Sequence, residues 1–244
     1  IRLSLVGSEM CIRDRPRNTE KEVYDFIAED LDEAVTLLPE TNVKGRANIG
    51  AALALKSRAM LYAASIAKYS TVQLDGILGI PASDADYYWQ AAFDAAEDLI
   101  ESKKYSLYEK NSDKTANFQE LFLDRASNPE EIFLEYYLFG YKTHNFDAYC
   151  LPRGLRGPDG FASRICPTLD MVEEFEYVDG SPGILNTGTP SNPVLYPNPL
   201  DLFKNKDPRC LATIIVPQST FKGSVIDIKS GIYDLGNNCL LYTS

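Results

Sequence analysis

Apolar positions along the first hundred residues recur at helical spacing. From Thr19 to Leu38, Val23, Phe26, Ile27, Leu31, Ala34 and Leu38 fall at steps of three and four, the signature of one buried helical face. Glu29, Asp32 and Glu33 take the opposite side. Thr19 and Glu22, three residues apart, form a capping box, and Pro39 stops the helix. A second helix is predicted from about Asn48, a suitable N-cap, to Lys68, with Ala52, Leu55, Ala59, Tyr62 and Ile66 as its stripe. Its many alanines would let a neighbouring helix approach closely. Gly76, Gly79 and Pro81 break the pattern, and a third helix runs from about Asp84 to Lys103, capped by Ser83 or Asp84. Its buried face is Trp89, Ala92, Phe93, Ala96, Leu99 and Ile100. The lone tryptophan lies on that stripe, four and seven residues before Phe93 and Ala96, which makes it core.

The later chain is patterned differently. Asn117–Leu123 is a short helix or turn, and the branched and aromatic content of Glu131–Tyr137 predicts a short strand. From Gly140 to Gly223 the chain is rich in Gly, Pro and Asn, with one short helix at Thr168–Glu176 whose Leu169, Val172 and Phe175 face inward. Asp179–Leu200 contains five prolines and three glycines and is loop. Leu211–Val216 (LATIIV) predicts a strand. The fold class that follows is mainly α: helical pairs packed in the tetratricopeptide manner, then an irregular, loop-rich region with short strands. A strict repeat of about 34 residues is not visible. The expected organisation is a helical scaffold over 16–137 and a loop-rich part over 138–238.

Composition narrows the function. The 244 residues carry 24 Lys and Arg against 35 Asp and Glu, a net charge of −11, with no basic cluster to meet a nucleic acid. One histidine excludes multi-histidine metal sites, no Asp-rich calcium loop appears, and neither a metal nor a cofactor is expected. No apolar run reaches the roughly 18 residues of a membrane span. Five cysteines without a C-x-x-C pair are expected to be free and mostly buried. GLRGPDG (Gly154–Gly160) lacks the Lys-Ser/Thr of a phosphate loop. The two ends stand apart from the rest. IRLSLVGSEMCIRDR (residues 1–15) lacks the uninterrupted apolar stretch of a signal peptide and resembles translated sequencing-adapter read-through, as does CLLYTS, Cys239 to Ser244. Both are expected to be artefact sequence.

Seven blocks, in order, carry a family resemblance. They are YDFIAEDLDEAVTLLPE (Tyr24–Glu40), GRANIGAALALKSRAMLYAAS (Gly45–Ser65), YYWQAAFDAAEDLIESKKYSLY (Tyr87–Tyr108), FQELF (Phe118–Phe122), NPEEIFLEYY (Asn128–Tyr137), PTLDMVEEFEYVDGS (Pro167–Ser181) and DPRCLATIIVPQSTFKG (Asp207–Gly223). Together they resemble the SusD/RagB family of Bacteroidetes outer-membrane nutrient-binding lipoproteins, of which this chain would be a central fragment. The resemblance implies a tetratricopeptide-like scaffold whose loops bind glycans without catalysis. It implies two partners, an oligosaccharide or polysaccharide and a TonB-dependent, SusC-like outer-membrane transporter. It also implies a surface-exposed place on the outer membrane, through a lipid anchor that lies outside this fragment.

A glycan site needs aromatic faces for the C–H side of a sugar ring and polar groups for its hydroxyls. The densest mixture is Tyr136–Phe161, YYLFGYKTHNFDAYCLPRGLRGPDGF. Within it Tyr141, His144, Asn145, Phe146, Tyr149 and Arg153 are the candidate ligand-binding residues, with Asp147 and Arg156 beside them. Loops on a rigid scaffold are where such groups sit. For any one of these aromatics, packing the loop onto the scaffold is the competing role. Catalysis is not expected. His144 has no G-x-S-x-G or comparable nucleophile motif. Asp170, Glu173 and Glu174 share one short helix, whereas glycoside hydrolysis needs carboxylates opposed across a cleft. The alternative function is a helical-repeat scaffold that binds a protein and has no glycan site.

Overall fold

The computed structural model describes residues 16–72, 74, 77–138, 140–152, 155, 163–227, 232–234 and 239–241. The chain divides into two compact units. One holds the residues up to Leu107 together with Pro129–Tyr136, and the other holds Tyr108–Asn128 and the residues from Tyr137 onward. Residues 108–128 therefore group with the later part of the chain.

The first unit is three helices. Helix α1 (Glu20–Leu37) starts at Thr19 with both halves of the capping box formed, Glu22 N–H to Thr19 Oγ1 at 3.1 Å and Thr19 N–H to Glu22 Oε2 at 2.8 Å. Helix α2 (Ile49–Tyr69) is capped by Asn48, whose side chain accepts from Ala51 N–H at 2.9 Å. Helix α3 (Ala85–Glu101) follows a 3-10 turn, Ala82–Asp84, and Asp84 at its start makes no side-chain cap bond. Helix α2 packs against both α1 and α3.

The core is built from small residues and three large ones. Ala28, Ala63, Ala64, Ala67, Ala85 and Ala92 surround fully buried Met60, Tyr88 and Ile80, with Trp89 packed half-buried at the edge. The alanines allow the close helix approach read from the sequence, and Ser57 Oγ donates across it to Ala92 O at 2.9 Å. The predicted stripes are rotated in part. Val23 and Phe26 on α1, Leu55 and Tyr62 on α2, and Phe93 and Ile100 on α3 are exposed, while buried Ala28, Met60, Ala63, Ala64, Ala67, Tyr88 and Ala95 lay outside the expected faces. Spacing alone favoured the bulkier residues, whereas the tight contact between helices selects the smaller ones.

Tyr88 brings a hydroxyl into this core and donates it to Asp25 at 2.6 Å. Lys21 bridges Asp25 at 2.9 Å and Asp84 at 3.3 Å. Burial pushes the Tyr88 phenol well above its ordinary range, helped by the Asp25 carboxylate. Burial also acts to raise Asp25, but the hydrogen bonds from Tyr88 and Lys21 outweigh it and hold the carboxyl low.

The second unit carries the short elements: α4 (Lys114–Leu123), α5 (Phe146–Tyr149), α6 (Leu169–Glu173), a 3-10 turn Pro199–Phe203 and α7 (Pro208–Thr213). Three two-stranded antiparallel pairs accompany them: β1 (Gly188–Thr189) with β2 (Asn192–Pro193), β3 (Thr220–Phe221) with β4 (Ser224–Val225), and β5 (Ile232–Asp234) with β6 (Cys239–Leu241). Helix α4 packs against α7. The architecture is the mainly helical one, with loops and short strands, that the pattern predicts.

Two expected strands are not formed. Residues 131–137 are bends and irregular chain, where Glu131 takes Lys44 at 3.2 Å and the Tyr136 hydroxyl. LATIIV is half helix: Asp207 caps α7 by accepting from Arg209 N–H at 2.8 Å, and Pro208 takes a first-turn position where no N–H is needed. That local start overrides the branched residues until the chain turns extended at Ile214. The predicted helix at Thr168 is shorter, with Thr168 as its cap; Val172 is buried and Phe175 partly so, but Leu169 is exposed. Among the described cysteines Cys150, Cys166 and Cys210 are free, but only Cys210 is buried, with Cys150 half-buried and Cys166 exposed, so the expectation of mostly buried thiols does not hold for these three. Among the described residues no helix is long and apolar enough to cross a membrane.

Candidate ligand-binding loop

The loop begins with a tight reversal. Leu138 N–H donates to Lys142 O at 2.9 Å, Lys142 N–H returns to Leu138 O at 3.0 Å, and Gly140 supplies the left-handed φ of +85° inside the turn. A residue with a Cβ would be strained at that φ. The reversal leaves Tyr141 at its tip, 89% exposed.

The chain then makes the single helical turn α5. Asn145 O accepts from Ala148 N–H at 3.1 Å and from Tyr149 N–H at 3.2 Å, but the Asn145 side chain makes no cap bond. His144 takes that role, its Nδ1 accepting from Phe146 N–H at 3.2 Å. An accepting Nδ1 assigns the ring proton to Nε2 in the neutral form. The His144 ring lies edge-on to Tyr137 at 4.9 Å and to Phe146 at 6.3 Å.

Backbone bonds pin a second segment beside this turn. Tyr149 O accepts from Arg164 N–H at 2.8 Å and Ile165 N–H at 3.0 Å, and Leu151 O accepts from Ser163 N–H at 2.9 Å above the fully buried Leu151. The structure thus gathers Tyr141, His144, Asn145, Phe146 and Tyr149 along one short stretch. Tyr141, His144, Asn145 and Phe146 are exposed and Tyr149 is half-buried. Arg153 and Arg156 lie outside the described residues.

Four residues that were not singled out from the sequence join them. Tyr137 completes the aromatic trio. Lys142 stands over the Tyr137 ring at 5.5 Å, Arg164 over Tyr149 at 5.8 Å, and Lys222 pairs with Asp147 at 2.8 Å. Arg164 and Lys222 sit 15 and 73 residues beyond Tyr149, so no local pattern could have placed them.

Two concave surfaces lie elsewhere among the described residues. The first unit has a depression of about 400 Å³ lined by Lys21, Asp25, Glu29, Asp32, Asp84 and Tyr87. The second has a groove of about 310 Å³ lined by Met171, Glu174, Phe175, Glu176, Asp207 and Arg209. Among the described residues of the loop, Tyr141 and Phe146 are exposed and Tyr137 and Tyr149 half-buried. Among the described residues no group of three or more His, Cys, Asp or Glu is placed to hold a metal ion. Glu173, from the acidic helix, accepts from Leu185 N–H at 3.1 Å.

No protein-family model matches the chain, and no curated protein matches it in sequence. Among solved structures, a SusD-like protein from Bacteroides fragilis matches with a TM-score of 0.59 and 26% identity, over 84% of this chain and 36% of its own. The chain resembles the SusD-like proteins in structure. It spans about a third of that SusD-like protein's length. Sequence blocks and fold point the same way, and the mainly helical architecture with short strands and loops is the SusD-like one.

Proposed function

We propose that this chain is part of a non-catalytic, cell-surface glycan-binding protein that captures oligosaccharides for delivery to a TonB-dependent, SusC-like transporter of the outer membrane. The observation that carries the reading is Tyr141, 89% exposed at the tip of a hydrogen-bonded turn, in the same stretch of chain as the Tyr137–His144–Phe146 trio. An exposed aromatic ring on a braced turn loses little freedom when a sugar stacks on it, because the turn is already ordered. Asn145 and His144 supply polar groups at the edge for hydroxyls. The SusD-like fold supports the assignment to carbohydrate capture.

The organisation proposed is a helical scaffold followed by a loop-rich ligand-binding part. Binding of the full chain to a polysaccharide panel by affinity electrophoresis tests the function, with each mixture assayed for new reducing ends. Retardation without cleavage is expected. Cleavage would replace capture by hydrolysis.

A second reading has its own support. Leu55, Tyr62 and Tyr69 on α2, seven residues apart, are all exposed, which suits a helical scaffold for a protein partner. A well-folded chain that no glycan retards would favour it.

A further inference from the structure

We infer that His144 is a proton-responsive cap: in its neutral form it holds the turn α5 closed, and on protonation it lets the start of that turn open. The turn is four residues long, and the side chain of Asn145 before it makes no cap bond. Its own ladder is three backbone bonds, from Ala148 N–H and Tyr149 N–H to Asn145 O at 3.1 and 3.2 Å and from Cys150 N–H to Phe146 O at 2.9 Å. A first helical turn fixes more backbone than its bonds repay, so a single turn is marginal by itself. Its far end is tied down, because Tyr149 O accepts from Arg164 N–H and Ile165 N–H. Its start rests on the bond from Phe146 N–H to His144 Nδ1 at 3.2 Å.

Nδ1 accepts only while it carries no proton. Protonation sets a second N–H against Phe146 N–H, so the bond is lost and two donors face each other. An imidazole takes up its proton between about pH 8 and 5, above the range of ordinary carboxylates, and His144 is the one histidine of the chain. Its ring contacts are Tyr137 at 4.9 Å and Phe146 at 6.3 Å. A charged imidazole can rest against an aromatic ring as a neutral one does, so what changes is the amide it caps. The titratable and charged groups around it among the described residues are the Tyr137 phenol, Lys142 over that ring at 5.5 Å, Asp147 with Lys222 at 2.8 Å, and Arg164 over Tyr149 at 5.8 Å. Cations and the carboxylate act on the imidazole with opposite signs. They set where in the window the change falls, not whether a protonated Nδ1 can accept. Phe146 is exposed on this turn and Tyr141 stands three residues before His144, so the proton alters the aromatic surface that the loop presents.

The competing role for His144 is to fill space between Tyr137 and Phe146. Nuclear magnetic resonance on the full chain separates the two. Ring nitrogen shifts of the single histidine should place the proton of the neutral form on Nε2. The Phe146 amide resonance should move with the same midpoint as the His144 ring. Hydrogen-exchange protection of the Ala148, Tyr149 and Cys150 amides, corrected for the intrinsic effect of pH on exchange, should fall about fivefold from about pH 8 to about pH 5, the factor that a lost helix cap is worth. Amides of α1, which Thr19 caps, should keep theirs. His144→Asn retains a side-chain acceptor and should hold the turn's protection within about twofold at both pH values. His144→Leu should lower it about fivefold at both. A neutral form protonated on Nδ1, or a Phe146 resonance and turn amides that do not follow the His144 titration, overturns the proton-responsive cap. So does a pH dependence that survives in His144→Asn. The titration and exchange of the unsubstituted chain need no variant, so a substitution that disturbs folding does not blunt the test.

Discussion

The ammonium of Lys206 donates to the carbonyl oxygen of Phe175 at 2.7 Å, inside the second unit, where Lys206 is only 5% exposed. It also donates to Val172 O at 3.2 Å and to Gly183 O, and stands over the Tyr177 ring at 5.0 Å. Three protons meet three carbonyls, two of them from α6 and the residues that follow it. A cation there also suits the negative end of that helical turn. Replacing Lys206 by Met keeps the length and leaves three carbonyls unmet in the interior. Unmet buried polar groups cost about 1–3 kcal/mol each. Lys206→Met should lower stability by about 3 kcal/mol or more, read from chemical denaturation followed by a probe in the second unit.

Gly183 answers the same geometry from the other side. A Cβ built on it would run into the carbonyl oxygens of Phe175 and Glu173. Backbone atoms cannot swing aside as a side chain would. Gly183→Ala is therefore expected to cost about 2 kcal/mol or more, as overpacking does. Gly180→Ala, three residues earlier, has open space at its Cβ but a left-handed φ of +80°, and should cost only about 1 kcal/mol from backbone strain. Thermal melts of the two variants would rank them.

The first unit should lose stability at both ends of the pH scale. Asp25 is held below the ordinary carboxylate range, where hydrogen bonds from Tyr88 and Lys21 outweigh the opposing effect of burial. A depressed carboxyl contributes stability above its unfolded value of about 3.9, and that contribution is lost as pH falls through the lower folded value. Tyr88 is raised, first by burial and then by Asp25. Its contribution is complete below about pH 10 and is lost as pH rises through the higher folded value. At neutral pH, Tyr88→Phe should cost about 1 kcal/mol. The difference in melting temperature between the parent and Asp25→Asn should shrink below about pH 4. The difference from Tyr88→Phe should shrink above about pH 10. Flat differences across pH would remove the pair from the account.

Helix starts were legible because their chemistry is local. Thr19 with Glu22, Asn48, and Thr168 each cap the helix expected of them. Which face each helix buries was only partly legible, since it depends on what the face meets. Val23 and Phe26 have apolar spacing but no neighbour to cover them among the described residues, while Ala63 and Ala64 disappear completely because a helix lies close against them. The β-branched run after Cys210 misled for a different reason: propensity over six residues is weaker than a capped, proline-started turn. In the candidate site the aromatic run was visible in the sequence. Arg164 and Lys222 were not, since chain reversals bring them in.

Tyr141 and Tyr149 should both matter for glycan binding, through different balances. Tyr141 is free of the fold at the turn's tip, so Tyr141→Ala removes contact area and little else. Tyr149 is half-buried under Arg164, so its loss also loosens the loop. Each alanine variant should weaken binding by about 1 kcal/mol, roughly fivefold, by analogy with aromatic anchors at other binding surfaces. Only Tyr149→Ala should also lower the melting temperature. Calorimetry on the retained glycan, paired with thermal melts, reads both effects. Unchanged affinity in both variants would exclude this loop from the site.

The alanine core inverts the usual expectation for size. Large apolar side chains normally carry a core and small ones fill its margins. In the first unit Ala63 and Ala64 are fully buried between helices, whereas Phe93 and Ile100 are 58% and 75% exposed. Adding three carbons at Ala64 has no space to enter and must push α2 away from its neighbours, at about 1–3 kcal/mol. Removing Phe93 to Ala loses little burial and stays within about 1 kcal/mol, instead of the 3–5 kcal/mol of a core phenylalanine. Ala64→Leu should therefore destabilise the chain more than Phe93→Ala, as measured by denaturant midpoints at unchanged slope.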